Sequence, residues 1–181
     1  RRKTVGRSLP KTVANDWGGK CALGMDFRPL LACRPMLFVN PPPDFEPAFE
    51  AVSCLISEGD DYLFLHRAPE ALHPSTWGCP TGKVDPGEER AAAVRREVRE
   101  ETGIDLPEDA FTFRETLAVR FPEFDFIYHL YTARLADRPK IRLNRREHIN
   151  YAWLPLEKAR RHNLVPDMDA VLDRVENRSA T

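Results

Sequence analysis

No apolar run in the 181-residue chain approaches the roughly 18 residues needed to cross a bilayer, which argues against a membrane-spanning helix. The four cysteines (Cys21, Cys33, Cys54 and Cys79) form no C-x-x-C pair and no Cys/His zinc spacing. A disulfide framework and a zinc finger both fall away, and a reducing cytoplasmic location is the default expectation. Cys54 lies inside an apolar run and reads as a buried thiol. The histidines His66, His73, His129, His148 and His162 lack metal-ligand spacing and read as ordinary polar or partly buried residues. Internal repeats are absent. Net charge is almost absent too, at −1, but its halves do not cancel locally. Residues 1–40 carry eight Lys/Arg against two Asp/Glu, and the remainder carries nineteen against twenty-six. The acidic remainder disfavours a broad nucleic-acid surface.

Apolar content of 42% and charged content of 30% are ordinary for a globular protein with a real core. The length suits one domain plus an extension. Residues 1–46 show little periodicity and end in Asn40-Pro41-Pro42-Pro43, a stiff extended linker. Three accounts of this basic segment stand: a natural extension, an organelle-targeting sequence, or residues from upstream of the true start, since Met25 and Met36 are both plausible starts. Transit peptides are Arg-rich and acid-poor, as here, but also Ser-rich, and only Ser8 is present. The second unit is expected to span 47–181.

Regular patterning begins at Phe49. Phe49–Ser57 and Tyr62–Arg67 read as strands around a turn at Glu58-Gly59-Asp60, followed by a loop over 68–80. Phe111–Phe121 and Phe124–Arg134 read as a hairpin joined at Pro122-Glu123. Glu147–Leu154 is a further strand leading into Pro155. Leu156–Leu164 and Asp167–Asn177 read as helices. Strands flanked by helices predict an α/β sandwich.

One stretch carries far more information than the rest. Residues 82–104 place Gly82, Glu88, Arg96, Glu97, Glu100, Glu101 and Gly103 in the pattern G-x5-E-x7-R-E-U-x-E-E-x-G-U, with Val98 and Ile104 at the apolar positions. Such a match arises by chance on the order of once in ten million chains of this size. Pro86-Gly87 is a turn signal, and Glu88-Glu89 put negative charge at a helix N-terminus. No Pro or Gly interrupts Glu89 to Glu101, and Gly103 suits a left-handed C-cap. The pattern predicts a helix from about Glu89 to Thr102. Glu97, Glu100 and Glu101 then share one face. Ala91, Val94 and Val98 form another, suited to packing on a sheet, with Ala93 on the acidic side leaving it uncrowded. Three carboxylates so close repel one another unless a cation neutralises them, and hard divalent ions with oxygen ligands are the natural partners. A solvated helix with scattered charge is the bland alternative. The glycine-rich entry, Arg96 and the spacing to Gly82 decide against it.

With this box, residues of about 47–177 resemble a Nudix hydrolase, most closely the MutT-like nucleotide pyrophosphohydrolases. The resemblance implies a Nudix-type α/β/α sandwich with a mixed sheet and the box as a loop-helix-loop motif. It also implies Mg²⁺-dependent (alternatively Mn²⁺-dependent) hydrolysis of a nucleoside diphosphate linked to another moiety. Glu97, Glu100, Glu101 and the Gly82 carbonyl would hold metal. Arg96 would orient Glu97, and Glu88 would brace the loop or contact a metal-bound water. The general base is a box glutamate in some relatives and a loop glutamate in others. Glu147 is the best downstream candidate, set against a strand-end carboxylate paired with Arg145 or Arg146. Arg67 and Lys83 resemble phosphate contacts in MutT-like enzymes, against a solvated strand-end charge for Arg67. Trp77 either stacks on a base or covers the core edge. Asp167 either reads a purine edge or caps a helix. Thr81 departs from the Pro-Gly-Gly that precedes many boxes, and a β-branched residue takes positive φ only at a cost.

A (d)NTP pyrophosphohydrolase releasing NMP and pyrophosphate is the leading expectation. Nucleoside-diphosphate sugars, dinucleoside polyphosphates and 5′-end RNA are alternatives. A non-catalytic nucleotide-binding module would be expected to have lost the carboxylates that are present here. The leaving group is read by loops at 68–80, 121–124 and 144–170, which carry no recognisable code. Oligomeric state is not legible.

Overall fold

The computed structural model describes residues 35–122 and 124–179. Most of the basic segment, with Cys21, Cys33 and Met25, lies outside the described residues, as does Glu123 of the hairpin turn. The fold is built on the apolar run around Val52–Ile56, which is buried on both faces and forms strand β2 (Pro47–Glu58). A strand with two apolar faces belongs in the middle of a sheet covered on both sides. β2 pairs in parallel with β7 (Asp125–Leu135) along nearly its whole length. Its other edge pairs antiparallel with the short β5 (Thr81–Lys83) and, at the turn, with β3 (Asp61–Arg67). β6 (Phe111–Arg120) returns antiparallel on β7, completing the expected hairpin. Arg120 clamps the turn with a fork on Asp125 at 2.9 and 2.8 Å. β3 carries β4 (Trp77–Gly78) and β8 (His148–Leu154).

The sheet is therefore mixed, ordered β1-β6-β7-β2-β3-β4 with β5 on β2 and β8 on β3. β1 (Met36–Phe38) pairs antiparallel with β6, so a piece of the segment read as irregular joins the sheet edge. Three residues are too few for a period-2 pattern to show.

Period-2 alternation sends Val52, Cys54 and Ile56 of β2, with Leu63 and Leu65 of β3, against helix α1 (Arg90–Thr102). Leu55 and Phe64 point the other way, onto Met168, Val171, Leu172 and Val175 of helix α3 (Met168–Ser179). The result is the expected α/β/α sandwich. Val94 and Val98 are essentially fully buried, each contributing on the order of 1.5–3 kcal/mol. Among the described residues, no helix is long and apolar enough to cross a membrane.

Two expectations about helices need correction. On α1, Ala93 is wholly buried and Ala91 only half-buried, so the buried face is centred on Ala93, Val94, Val98 and Glu101. On the acidic side Glu97 and Glu101 are covered where α1 crosses β5, while Glu100 faces solvent. Helix α2 (Leu156–Ala159) is a single turn and does not reach Leu164. The chain instead doubles back so that Asn163 and Val165 flank Trp77, through Trp77 N–H to Asn163 O at 2.8 Å and Val165 N–H to Trp77 O at 2.9 Å.

The C-terminus of α1 behaves as predicted. Gly103 caps it in the left-handed region at φ 73°, donating to Arg99 O. Two further carbonyls of that last turn receive backbone N–H groups from the segment ahead of β8: Arg142 to Thr102 (2.7 Å) and Asn144 to Glu101 (3.1 Å). These bonds satisfy helix-end acceptors and tie the loop carrying Glu147 to the acidic helix.

Candidate active site

Gly82 sits in β5 opposite Val52, and the Glu97 carboxylate lies directly over its α-carbon. Arg96 organises what surrounds it. Its Nε and Nη2 donate to Glu88 Oε1 (2.9 Å) and Oε2 (2.8 Å), a two-pronged fork. Nη2 also donates to the Lys83 carbonyl at 2.8 Å, and Nη1 to Glu97 Oε1 at 2.6 Å. Glu100 Oε2 stands 3.7 Å from the same Nη1. Glu88 Oε2 further accepts the Asp85 N–H at 3.0 Å. Of the two roles expected for Glu88, bracing the loop is the one these bonds describe. The Arg96 fork lowers the Glu88 carboxyl below its ordinary range. Burial outweighs the same guanidinium at Glu97, with Glu101 and Glu100 adding repulsion, and its carboxyl is pushed up to about 7.

The three box glutamates differ in exposure. Glu100 is 52% exposed, Glu97 14% and Glu101 3%. A carboxylate as buried as Glu101 requires partners. Its Oε2 accepts the Thr81 N–H at 3.3 Å and lies 3.3 Å from His148 Nε2. Glu147 joins them, with ligand atoms of Glu101, Glu147 and His148 all within 4.8 Å of one another. Glu147 is half-buried, and its Oε1 accepts Asn144 Nδ2–H at 2.8 Å rather than pairing with Arg145 or Arg146. Burial raises its carboxyl, Glu101 raises it further, and His148 and Arg67 oppose the shift. Thr81 is extended and avoids positive φ, so the departure before the box is absorbed by the β5 pairing.

Four carboxylates crowded with one arginine offer oxygens that match a hard divalent cation. Two observations fit such an ion. His148 is fully buried with no hydrogen-bond partner on either ring nitrogen, and a side chain at position 82 would fill the space that Glu97 occupies.

The residues expected to contact substrate fall into two groups. Arg67 lies within the field of Glu101 and Glu147, with burial lowering its pKa and those carboxylates opposing the shift. Its Nε donates to Leu72 O at 2.6 Å, which folds the 68–76 loop around it. The Lys83 ammonium stands over the Phe49 ring at 4.4 Å, while its carbonyl serves Arg96. Trp77 is stacked on His66 at 4.6 Å and tilted against His162 at 5.3 Å, within the α3-side core. The core-edge alternative thus describes its ring, one face of which His66 covers. Asp167 precedes α3 with φ 61°, and its carbonyl accepts the Val171 N–H at 3.2 Å, as a residue entering a helix does. Trp77 and Asp167 are brought together through Asn163–Val165.

Sequence reasoning missed His148 and Thr81 at the site. The adjacency Glu147-His148 was the one signal available for the histidine. A search for spacing among histidines alone passes over a partner on a distant helix.

The comparisons with known proteins agree with this geometry. The NUDIX domain family model matches residues 47–175. The chain is 32% identical over 124 residues to the nucleoside triphosphatase NudI of Salmonella agona (strain SL483), covering 62% of this chain and 86% of that one. It is 35% identical over 117 residues to the asymmetrical bis(5′-nucleosyl)-tetraphosphatase of Mus musculus, covering 62% and 76%. The crystal structure of a MutT protein from Methanosarcina mazei Go1 superposes with a TM-score of 0.65 at 26% identity, covering 75% of this chain and 98% of that one. Nudix hydrolases generally need a divalent metal and act on nucleotide phosphoanhydrides. The chain belongs to the Nudix family and is a MutT-like Nudix hydrolase.

Proposed function

We propose that the protein is a Mg²⁺-dependent nucleoside triphosphate pyrophosphohydrolase. The observation that carries this reading is the cluster of Glu97, Glu100, Glu101 and Glu147, fixed by Arg96 and faced by Arg67. Glu97, Glu100, Glu101 and the Gly82 carbonyl would hold the cation, with Mn²⁺ as a substitute. A divalent ion held there would neutralise phosphate oxygens and make water easier to ionise.

The chain's own residues supply the remainder. Arg96 keeps Glu97 in one orientation through the 2.6 Å bond. Glu147 takes the proton of the attacking water, its carboxylate being held by Asn144 in reach of Glu101. The Arg67 guanidinium is suited to pairing with phosphate oxygens, and Lys83 adds positive charge at the box entrance. The water oxygen bonds to one phosphorus of the α,β-anhydride while the bridging oxygen leaves on the other. The products are a nucleoside monophosphate and pyrophosphate.

Both curated relatives act on nucleosides bearing several phosphates, which favours a triphosphate over a diphospho-sugar. The tetraphosphatase relative supports a second reading, asymmetric cleavage of a dinucleoside polyphosphate. A Mg²⁺ reaction with a panel of (d)NTPs, dinucleoside polyphosphates and diphospho-sugars separates them by kcat/KM and product. Pyrophosphate and monophosphate from a triphosphate are expected. Cleavage confined to sugar-linked diphosphates would sink the proposal.

A further inference from the structure

His148 lies outside the box, yet it begins β8 opposite Arg67 and its backbone N–H bonds to Asn144 O at 2.9 Å. The backbone thus fixes where the ring sits. The side chain is 2% exposed, with Nε2 3.3 Å from Glu101 Oε2 and no hydrogen-bond partner for Nε2 or Nδ1 among the described residues. A buried imidazole with two idle nitrogens is costly. The 3.3 Å approach to Glu101 lacks the alignment of a hydrogen bond as the ring stands, and a small rotation of the imidazole with its proton on Nε2 turns it into a donated bond. Oε2 would then receive two N–H groups, from Thr81 and from His148, leaving Oε1 for a cation.

We infer that His148 is a positioning residue for the metal site, its Nε2–H holding Glu101 so that the second carboxylate oxygen faces the ion. The inference rests on the metal-dependent reading above. Exposure supports this arrangement over direct ligation. Glu100 is open to solvent and Glu147 half-buried, whereas the imidazole is only 2% exposed. Partners that orient metal-binding side chains in this way typically change affinity 10–100-fold when removed.

The test titrates Mn²⁺ into the full chain, reading free Mn²⁺ by electron paramagnetic resonance, for the parent, His148→Gln and His148→Asn. The Gln amide nitrogen falls near the place of Nε2, and that of Asn near Nδ1. Both variants put an amide in the same buried position, so their shared folding cost cancels in the comparison, and melts in EDTA check it. His148→Gln should bind Mn²⁺ within about threefold of the parent, and His148→Asn at least about tenfold more weakly. Equal affinity in the two variants overturns the inference, whether retained or lost. A nitrogen coupling in the parent's Mn²⁺ spectrum also overturns it, since the ring would then be a ligand. A parent that binds no Mn²⁺ removes the metal reading itself, an outcome distinct from the other two.

Discussion

A methyl group on Gly82 would stand 1.9 Å from Glu97 Cδ, so the glycine and the carboxylate occupy one space. Gly82→Ala must therefore expel Glu97 from its bond with Arg96. Turnover should fall at least about tenfold, and Mn²⁺ affinity with it, because the group that moves is a proposed ligand. Parent-like Mn²⁺ binding in this variant would remove Glu97 from the metal site.

Arg96→Lys keeps the charge and loses the fork. An ammonium cannot reach Glu88, Glu97 and the Lys83 carbonyl together. The expected outcome is a kcat lower by about tenfold or more, and a stability loss of about 1–3 kcal/mol in urea. An unchanged urea midpoint would show that the loop does not depend on this hub.

Glu147→Gln separates the base from the ligands. It should lower kcat by roughly 10²-fold or more, as loss of a general base does, with Mn²⁺ affinity little changed. Glu101→Gln should weaken Mn²⁺ binding itself. If Glu147→Gln loses Mn²⁺ as Glu101→Gln does, Glu147 is a ligand and the base lies elsewhere.

The carboxyl of Glu97 gives a pH dependence with a definite sign. It is raised to about 7 in the folded protein against an ordinary 4.5. Between those values the folded state keeps a proton that the unfolded chain has released. With divalent ions chelated, stability should therefore fall as pH rises through this window and level off above it. The contribution is on the order of 1–3 kcal/mol. Melts in EDTA across about pH 5 to about pH 8 should show it in the parent and lose it in Glu97→Gln. Equal slopes in the two proteins would contradict the assignment.

Gly103 tests the frame rather than the chemistry. A Cβ there meets Arg142 Cβ at 2.8 Å and sits at φ 73°. Gly103→Ala should cost about 1–2 kcal/mol, since both strain and crowding apply, and its urea midpoint should drop accordingly. A stabilised variant would mean that the helix end can rearrange.

The long apolar runs were legible because periodicity speaks clearly over ten residues: β2, β3, β6, β7 and α1 lie within a residue or two of where the patterning places them. What escaped was whatever depends on a distant partner. Thr81–Lys83 has little strand character of its own and becomes β5 because β2 offers an edge there. The sequence beyond Ala159 is compatible with a helix, but pairing with Trp77 overrides that propensity. At the site, the box announced its carboxylates while concealing their unequal burial. Burial depends on how α1 lies across β5, which no local pattern encodes. His148 was hidden for the same reason.

The antiparallel pairing of β5 with β2 has an evolutionary side. Gly82 is hydrogen-bonded into the neighbourhood of Val52, whose side chain is 0% exposed. Local opening of the glycine cradle would disturb the sheet's most buried strand, so its amides should exchange with solvent only as the core itself unfolds. The loops over 68–76 and 160–167 are not paired with β2. Mutation can reshape those loops toward a new leaving group while the phosphate-cleaving centre stays anchored to the core.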